Sequence, residues 1–148
     1  RVSELTAINV QDINLEKHEC LVTGKGNKQR ITIFVPITAN YIAHYLKNIR
    51  PKWVKKTQTN AFLCNEKGTR LTQRSVQRIV RSCCEKQQIN QKITPHTLRH
   101  SFATDLYNNG ADLSAIQELL GHKNIVTTEI YTHVAYKKLR KVIDQANQ

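Results

Sequence analysis

The chain has 148 residues, which suits a single domain with a sizeable core. Its hydrophobic content is 39%, with Leu, Ile and Val spread throughout, which excludes a disordered chain, and no apolar run approaches the roughly 18 residues of a membrane span. Lys and Arg number 23 against 11 Asp and Glu, for a formal charge of +12 and a pI near 9.8, so the first expectation is a polyanionic partner, with nucleic acid ahead of a membrane surface.

In chain order, RVSEL opens a helix with Val2 and Leu5 on one side. Residues 8–36 read as strands: Val10 and Ile13 are apolar, and 20–23 and 31–35 are β-rich. Between those two runs GKGNKQR is a turn of ordinary hairpin-tip residues, in which Gly24 and Gly26 give Lys25 a flexible, close-approaching backbone. It is not a P-loop, because GxxxxGK[ST] is missing. A helix starting at Thr38 or Asn40 carries Ile42, Leu46 and Ile49 and is expected to end before Pro51, leaving Trp53 and the lysines around it in a polar loop. Residues 62–64 read as a short strand and 65–68 as a turn. Thr72 caps a helix with Val76, Ile79, Val80 and Cys83 expected inward. Arg74, Arg78 and Arg81 recur at i, i+4, i+7 on another face of it with no acidic residue among them. A charged stripe is what any solvated face looks like, but in so basic a chain this one is expected to meet DNA backbone. The cysteines are Cys20, Cys64, Cys83 and Cys84; they form no CxxC pair and read as reduced thiols of a cytosolic protein, with at most one of the adjacent pair facing the core.

Residues 95–134 organise the rest. Thr94 caps a helix and Pro95 suits its first turn. His96 and Arg99, at i and i+3, then share a face at a helix N-terminus, where main-chain N–H groups and the dipole favour an anion. That cluster suits a phosphodiester, and the Tyr131 hydroxyl, placed beyond Gly121 and His122, is the group best suited to attack one. Leu98, Phe102, Ala103 and Leu106 are expected inward, and Asn108, Asn109 and Gly110 end the helix. Asp112 caps a short helix with Leu113, Ile116, Leu119 and Leu120, ended by Gly121, and Asn124 caps the next, which presents Tyr131. Leu139, Val142, Ile143 and Ala146 then form an apolar stripe between Lys137, Lys138, Arg140 and Lys141.

HTLRHSFAT, GADLSAIQELLGH and TTEIYTHV resemble the catalytic core of the tyrosine recombinases, or phage-type integrases, and in particular the Xer-type and bacterial mobile-element branch. The likeness extends to Arg1 in RVSEL and Lys25 in GKGNKQR, so five blocks stand in the family's order over nearly the whole chain. It implies an α+β, mainly helical fold with a small antiparallel sheet or hairpin packed on a helical core. It implies that residues 1–148 are the catalytic domain of a longer protein, with a helical DNA-binding domain upstream. The implied activity is site-specific recombination, in integration, excision or dimer resolution, through a covalent 3′-phosphotyrosyl intermediate.

By the same resemblance Arg1, Lys25, His96, Arg99 and His122 are catalytic and Tyr131 is the nucleophile. Arg1 and Arg99 would clamp the non-bridging oxygens with forked contacts. His96 and His122 would donate further hydrogen bonds, with His96 a candidate for proton transfer, and Lys25 would be the acid for the leaving 5′ oxygen. Lys28 and Arg30 are expected to be phosphate contacts beside Arg74, Arg78 and Arg81, while His100 and His133 are assigned to packing and orientation. The resemblance implies no cofactor and no metal. The implied partners are double-stranded DNA and further copies of the chain, tetrameric in the synapse and docked through the C-terminal helix around Leu139, Val142 and Ile143. On the residues alone, that stripe packs on the chain's own core. The implied location is cytoplasmic, with the nucleoid, in a protein of bacterial or phage origin. Two other classes remain. His96 and His100 have a zinc-binding spacing, but a zincin needs Glu after the first His, residue 97 is Thr, and no Cys cluster adds ligands. A decayed recombinase that only occupies its DNA site would need no chemistry, yet all six matched positions carry reactive side chains, and a cleavage assay separates the two.

Overall fold

The computed structural model describes residues 1–121 and 142–143, with the main chain but not the side chains of Lys25 and Glu118. Helix α1 (Val2–Ala7) leads through a 3-10 turn at Val10–Asp12 into a three-stranded antiparallel sheet ordered β1 (Ile13–Asn14), β2 (Glu19–Thr23) and β3 (Gln29–Ile33). Helices α2 (Pro36–His44), α3 (Arg50–Val54), α4 (Gln73–Lys86), α5 (Pro95–Asn108) and α6 (Leu113–Leu120) follow. The chain is thus mainly helical with a small antiparallel sheet, as its resemblance implies.

The β2–β3 hairpin pairs Val22 with Arg30 and Thr23 with Gln29, and Gly24 N–H donates to Lys28 O at 2.8 Å. Its tip, Lys25–Asn27, requires φ of +75° at Gly26 and +58° at Asn27, and Gly and Asn are the residues that accept that region at least cost. Two cores flank the sheet. One gathers Ile8, Cys20, Val22 and Phe62, with Tyr45 edge-on to Phe62 at 5.7 Å. The other gathers Ile33, Leu106, Ala111, Ile116, Leu119, Leu120 and Ile143. Leu106, 1% exposed, fastens α5 into this second core, and burying such a side chain contributes about 1.5–3 kcal/mol. All four cysteines are free thiols, and burial, helped by Asp12, pushes the Cys20 thiol up to about 11.

Several elements depart from the sequence expectation. Helix α2 begins at Pro36, two residues before Thr38, because Pro suits a first turn. Pro51 does not end the helical path. A π-helical segment, Tyr45–Ile49, absorbs the discontinuity, and Pro51 falls in the first turn of α3, where its missing N–H costs nothing. Trp53 is therefore helical, its ring 6.1 Å from Tyr45. Residues 61–64 make isolated bridges, Asn9 with Ala61 and Cys64 with Arg70, rather than a strand. On α4 the inward line is Val76, Val80 and Cys84, while Ile79 is 50% exposed and Cys83 faces out. On α5 the inward line is Arg99, Ala103 and Leu106; Leu98 (52% exposed) and Phe102 (39%) flank it, because Arg99 takes the position at the end of α6. Leu113 is likewise exposed. Ile143 is 3% exposed in the second core and Val142 packs against it, so these residues of the expected protomer-docking stripe are covered by their own chain. Leu139 lies outside the described residues.

Candidate active site

The last turn of α6 is where distant parts of the chain meet. A helix end leaves carbonyls without intrahelical partners. Here an arginine donates to each of the last ones in turn: Arg30 Nε to Leu119 O at 3.0 Å, Arg99 Nη2 to Leu120 O, and Arg1 Nη2 to Gly121 O at 2.6 Å. The three come from β3, α5 and the start of α1. The carbonyl end of a helix dipole also favours cations, so the arrangement is doubly matched.

Three guanidiniums this close need an anion, and Glu4 supplies it. The residue is 5% exposed. Its Oε1 accepts from Arg1 Nη1 at 2.8 Å and Arg30 Nη1 at 3.0 Å; its Oε2 accepts from Arg30 Nη2 at 2.9 Å and the Arg1 main-chain nitrogen at 3.1 Å. Burial by itself would raise the Glu4 pKa, but the hydrogen bonds from Arg30, from the amino-terminal nitrogen of this chain and from the Arg1 guanidinium outweigh it and hold the carboxyl at about 2 in the 148-residue chain. Arg99 is shifted below the ordinary arginine value, first by burial and then by Arg1, with Glu4 opposing; it remains a cation. Each guanidinium has five N–H donors, so Arg1 and Arg99 retain others to offer a phosphate.

The expected site residues divide as follows. Arg1 and Arg99 are brought together. His96 is exposed on the first turn of α5, whose cap is Thr94 Oγ1 accepting from Thr97 N–H at 3.2 Å. The Lys25 main chain sits at the hairpin tip next to the cluster: a Cβ on Gly24 would stand 3.2 Å from Glu4 Oε1. The Lys25 side chain, His122 and Tyr131 lie outside the described part of the structure. Lys28, Arg74, Arg78 and Arg81 are exposed, with Arg81 paired to Glu85 at 2.8 Å. Arg30, expected as a phosphate contact, has its guanidinium on Glu4 and Leu119 O, and its side chain is 21% exposed.

Two residues escaped the sequence reading. Glu4 follows Arg1 at i+3 in RVSEL, but an arginine side chain cannot accept a capping hydrogen bond, so the spacing alone did not single it out. Arg70 donates to Thr6 O and Ile8 O, each at 2.9 Å, and so holds the far end of α1; no local pattern announces a contact that spans more than sixty residues. Among the described residues no group of three or more His, Cys, Asp or Glu is placed to hold a metal ion, and no helix is long and apolar enough to cross a membrane.

Comparison with known proteins decides the lineage. The profile of the phage integrase family matches residues 1–138. The chain belongs to the phage integrase family. Its similarity runs to the Xer branch. It is 44% identical over 145 residues to the tyrosine recombinase XerD of Staphylococcus saprophyticus, and 42% identical to that of Staphylococcus aureus; each alignment covers 98% of this chain and 49% of the relative. The chain thus spans about half the length of the curated relatives it matches. Among solved structures it superposes on the XerA recombinase with a TM-score of 0.77 at 33% identity, covering 95% of this chain and 52% of that one. It also superposes on the XerH site-specific recombinase bound to its difH substrate in a post-cleavage complex, with a TM-score of 0.71 at 30% identity, covering 95% and 40%.

Proposed function

We propose that residues 1–148 are the catalytic domain of a site-specific DNA recombinase that cleaves and rejoins double-stranded DNA. The observation that carries this reading is the convergence of Arg1 and Arg99 on adjacent carbonyls, Gly121 O and Leu120 O, immediately before His122. It is supported by a family match that continues past Tyr131 to residue 138, and by a relative whose printed description is a recombinase on its cleaved substrate.

In this reading Arg1, Arg99, His96 and His122 meet the charge that builds on the non-bridging oxygens, so catalysis is mostly positioning and electrostatics. Tyr131 Oη attacks phosphorus and its proton passes to an acceptor at the site, for which His96 is the candidate. The P–O5′ bond breaks, Lys25 gives a proton to the departing 5′ oxygen, and a 3′-phosphotyrosyl enzyme forms. Attack by a 5′ hydroxyl of another strand reverses each step and releases the tyrosine, so no nucleotide triphosphate is consumed. Arginine keeps its charge throughout, whereas lysine has a proton to transfer, which fits the division of roles. Lys28, Arg74, Arg78 and, on release from Glu85, Arg81 are proposed backbone contacts. The working assembly is proposed to be a homo-oligomer on DNA, tetrameric in the synapse, in the cytoplasm with the nucleoid. With Val142 and Ile143 in the chain's own core, a protomer contact through that segment must either use other residues or undock these two.

The test is a covalent adduct. Full-length protein is incubated in EDTA with nicked suicide DNA, and the modified peptide is mapped. The adduct should sit on Tyr131, vanish in Tyr131→Phe and need no added metal, because the arginines meet the phosphate charge. A chain that merely occupies its site would form no adduct. A label on Tyr107 or Tyr136 would refute the assignment.

A further inference from the structure

Arg30 is the one member of the arginine cluster that the proposed chemistry does not use. Its position differs from a surface phosphate contact in three respects. It makes a two-pronged contact to Glu4, Nη1 to Oε1 at 3.0 Å and Nη2 to Oε2 at 2.9 Å. Its third donor, Nε, reaches Leu119 O at 3.0 Å. It is also closed in by a glycine on either side. A Cβ on Gly121 would lie 3.0 Å from Arg30 Cζ, and one on Gly24 would lie 3.6 Å from Arg30 Nη1 and 3.2 Å from Glu4 Oε1. Gly24 directly precedes Lys25, and Gly121 directly precedes His122. Gly24 and Gly121, the residues directly before two of the six proposed catalytic residues, therefore lie against the same ion pair.

We propose that Arg30 is a positioning residue: with Glu4 it forms the platform against which Gly24 and Gly121, the residues before Lys25 and His122, are set relative to Arg1, and it does not touch DNA. The proposal rests on the strand-cleavage reading above. The physical case is geometric. Arg30 stands opposite Val22 on β3, so its Cα is fixed by the sheet, and the forked contact fixes Glu4 in turn. A planar guanidinium can satisfy both carboxylate oxygens and a carbonyl at once, whereas a lysine ammonium cannot span that arrangement. Misplacing a catalytic group by about 1 Å costs on the order of a hundredfold in rate.

The experiment uses the full-length protein and three enzymes: wild type, Arg30→Lys and Gly24→Ala. Gly24 has φ of −95°, so alanine there adds no backbone strain; its Cβ presses on Glu4 Oε1 at 3.2 Å and makes ordinary contacts with Arg30 Nη1 and Lys28 O, each at 3.6 Å. Duplex binding is measured against salt, and single-turnover cleavage of a suicide substrate is measured at saturating DNA, normalised to binding-competent protein. Both variants should bind with wild-type affinity and salt slope; Arg30→Lys should cleave about a hundredfold more slowly, and Gly24→Ala, which asks Glu4 for a smaller displacement, more slowly than wild type by a smaller factor. A phosphate contact would give the opposite split: Arg30→Lys, which keeps the charge and so the salt slope, would cleave at the wild-type rate once DNA saturates it, and any loss would appear in binding alone. That result overturns the proposal. If Arg30→Lys yields no binding-competent protein, Gly24→Ala decides by the same two measurements. Absence of a Tyr131 adduct in the wild type would instead refute the cleavage reading itself.

Discussion

Glu4 carries a negative charge into the most basic corner of the molecule, and its carboxyl is held at about 2 against an ordinary 4.5 by hydrogen bonds from Arg30 and Arg1 that exceed the cost of burial. A carboxylate whose folded pKa is depressed adds stability that is complete above its unfolded pKa and is lost as pH falls through the folded one. The window here runs from about pH 4.5 down to about pH 2. The direction is fixed and the full contribution is a few kcal/mol at most. Urea unfolding of wild type and Glu4→Gln at a series of pH values should show the wild-type advantage shrinking by that order between pH 6 and pH 2. An advantage that does not change with pH would mean that the arginines hold Glu4 by contacts indifferent to its charge. The sequence hid this residue for a simple reason. Periodicity assigns the inward face of a helix to its apolar residues, here Val2 and Leu5, yet Leu5 is 37% exposed and Glu4 is buried. Buried charge is legible only when its partners are known, and Arg30 comes from another element.

At the scale of elements, local chemistry was readable and long-range choices were not. Thr72, Thr94 and Asp112 cap the helices they were expected to cap, with Ser75 N–H donating to Thr72 Oγ1 at 3.1 Å and Ser114 N–H to Asp112 Oδ1 at 2.9 Å. Caps are decided within four residues, so sequence shows them. The inward face of α5 turned by about one position because Arg99 competed for the inward line, and on α4 Cys84 rather than Cys83 faces in. The end of α6 combines both kinds of information: Gly121 stops the helix, but why it must be glycine is a tertiary fact. Gly110 and Gly121 make a matched pair, with φ of +81° and +70°. A Cβ on Gly110 meets nothing within 4 Å, whereas one on Gly121 meets Arg30 at 3.0 Å and Arg1 at 3.2 Å. Alanine at either position should cost roughly 1–2 kcal/mol for the left-handed backbone. Gly110→Ala should cleave DNA like wild type, while Gly121→Ala should lose cleavage on top of stability, because it displaces the arginines. Equal losses of cleavage in the two variants would show that only the backbone term matters.

Across the whole molecule the +12 charge is the feature that sequence showed first and that structure distributes. Part of it is gathered around Glu4, on Arg1, Arg30 and Arg99. Another part stands on α4, where Arg74, Arg78 and Arg81 are exposed as a stripe. That stripe carries a built-in competitor: Arg81 Nε donates to Glu85 Oε1 at 2.8 Å, with both side chains largely exposed. An exposed i,i+4 pair is worth about 0.3–0.5 kcal/mol, so a phosphate can displace it, but the displacement subtracts from binding. DNA affinity of the chain should therefore fall steeply with salt, by about 0.9 in log–log slope per phosphate contacted, and Arg74→Ala or Arg78→Ala should each flatten the slope by about that amount. Glu85→Gln should tighten binding and steepen the slope by freeing Arg81. The same substitution in an Arg81→Ala background should have a much smaller effect, since the freed cation is gone. Titrations of a non-specific duplex between about 50 and 200 mM salt read all of these, because that range spans the electrostatic component of binding. If Glu85→Gln tightens binding equally with and without Arg81, the gain is one of net charge alone, and the α4 stripe is a solvated face rather than a track for the DNA backbone.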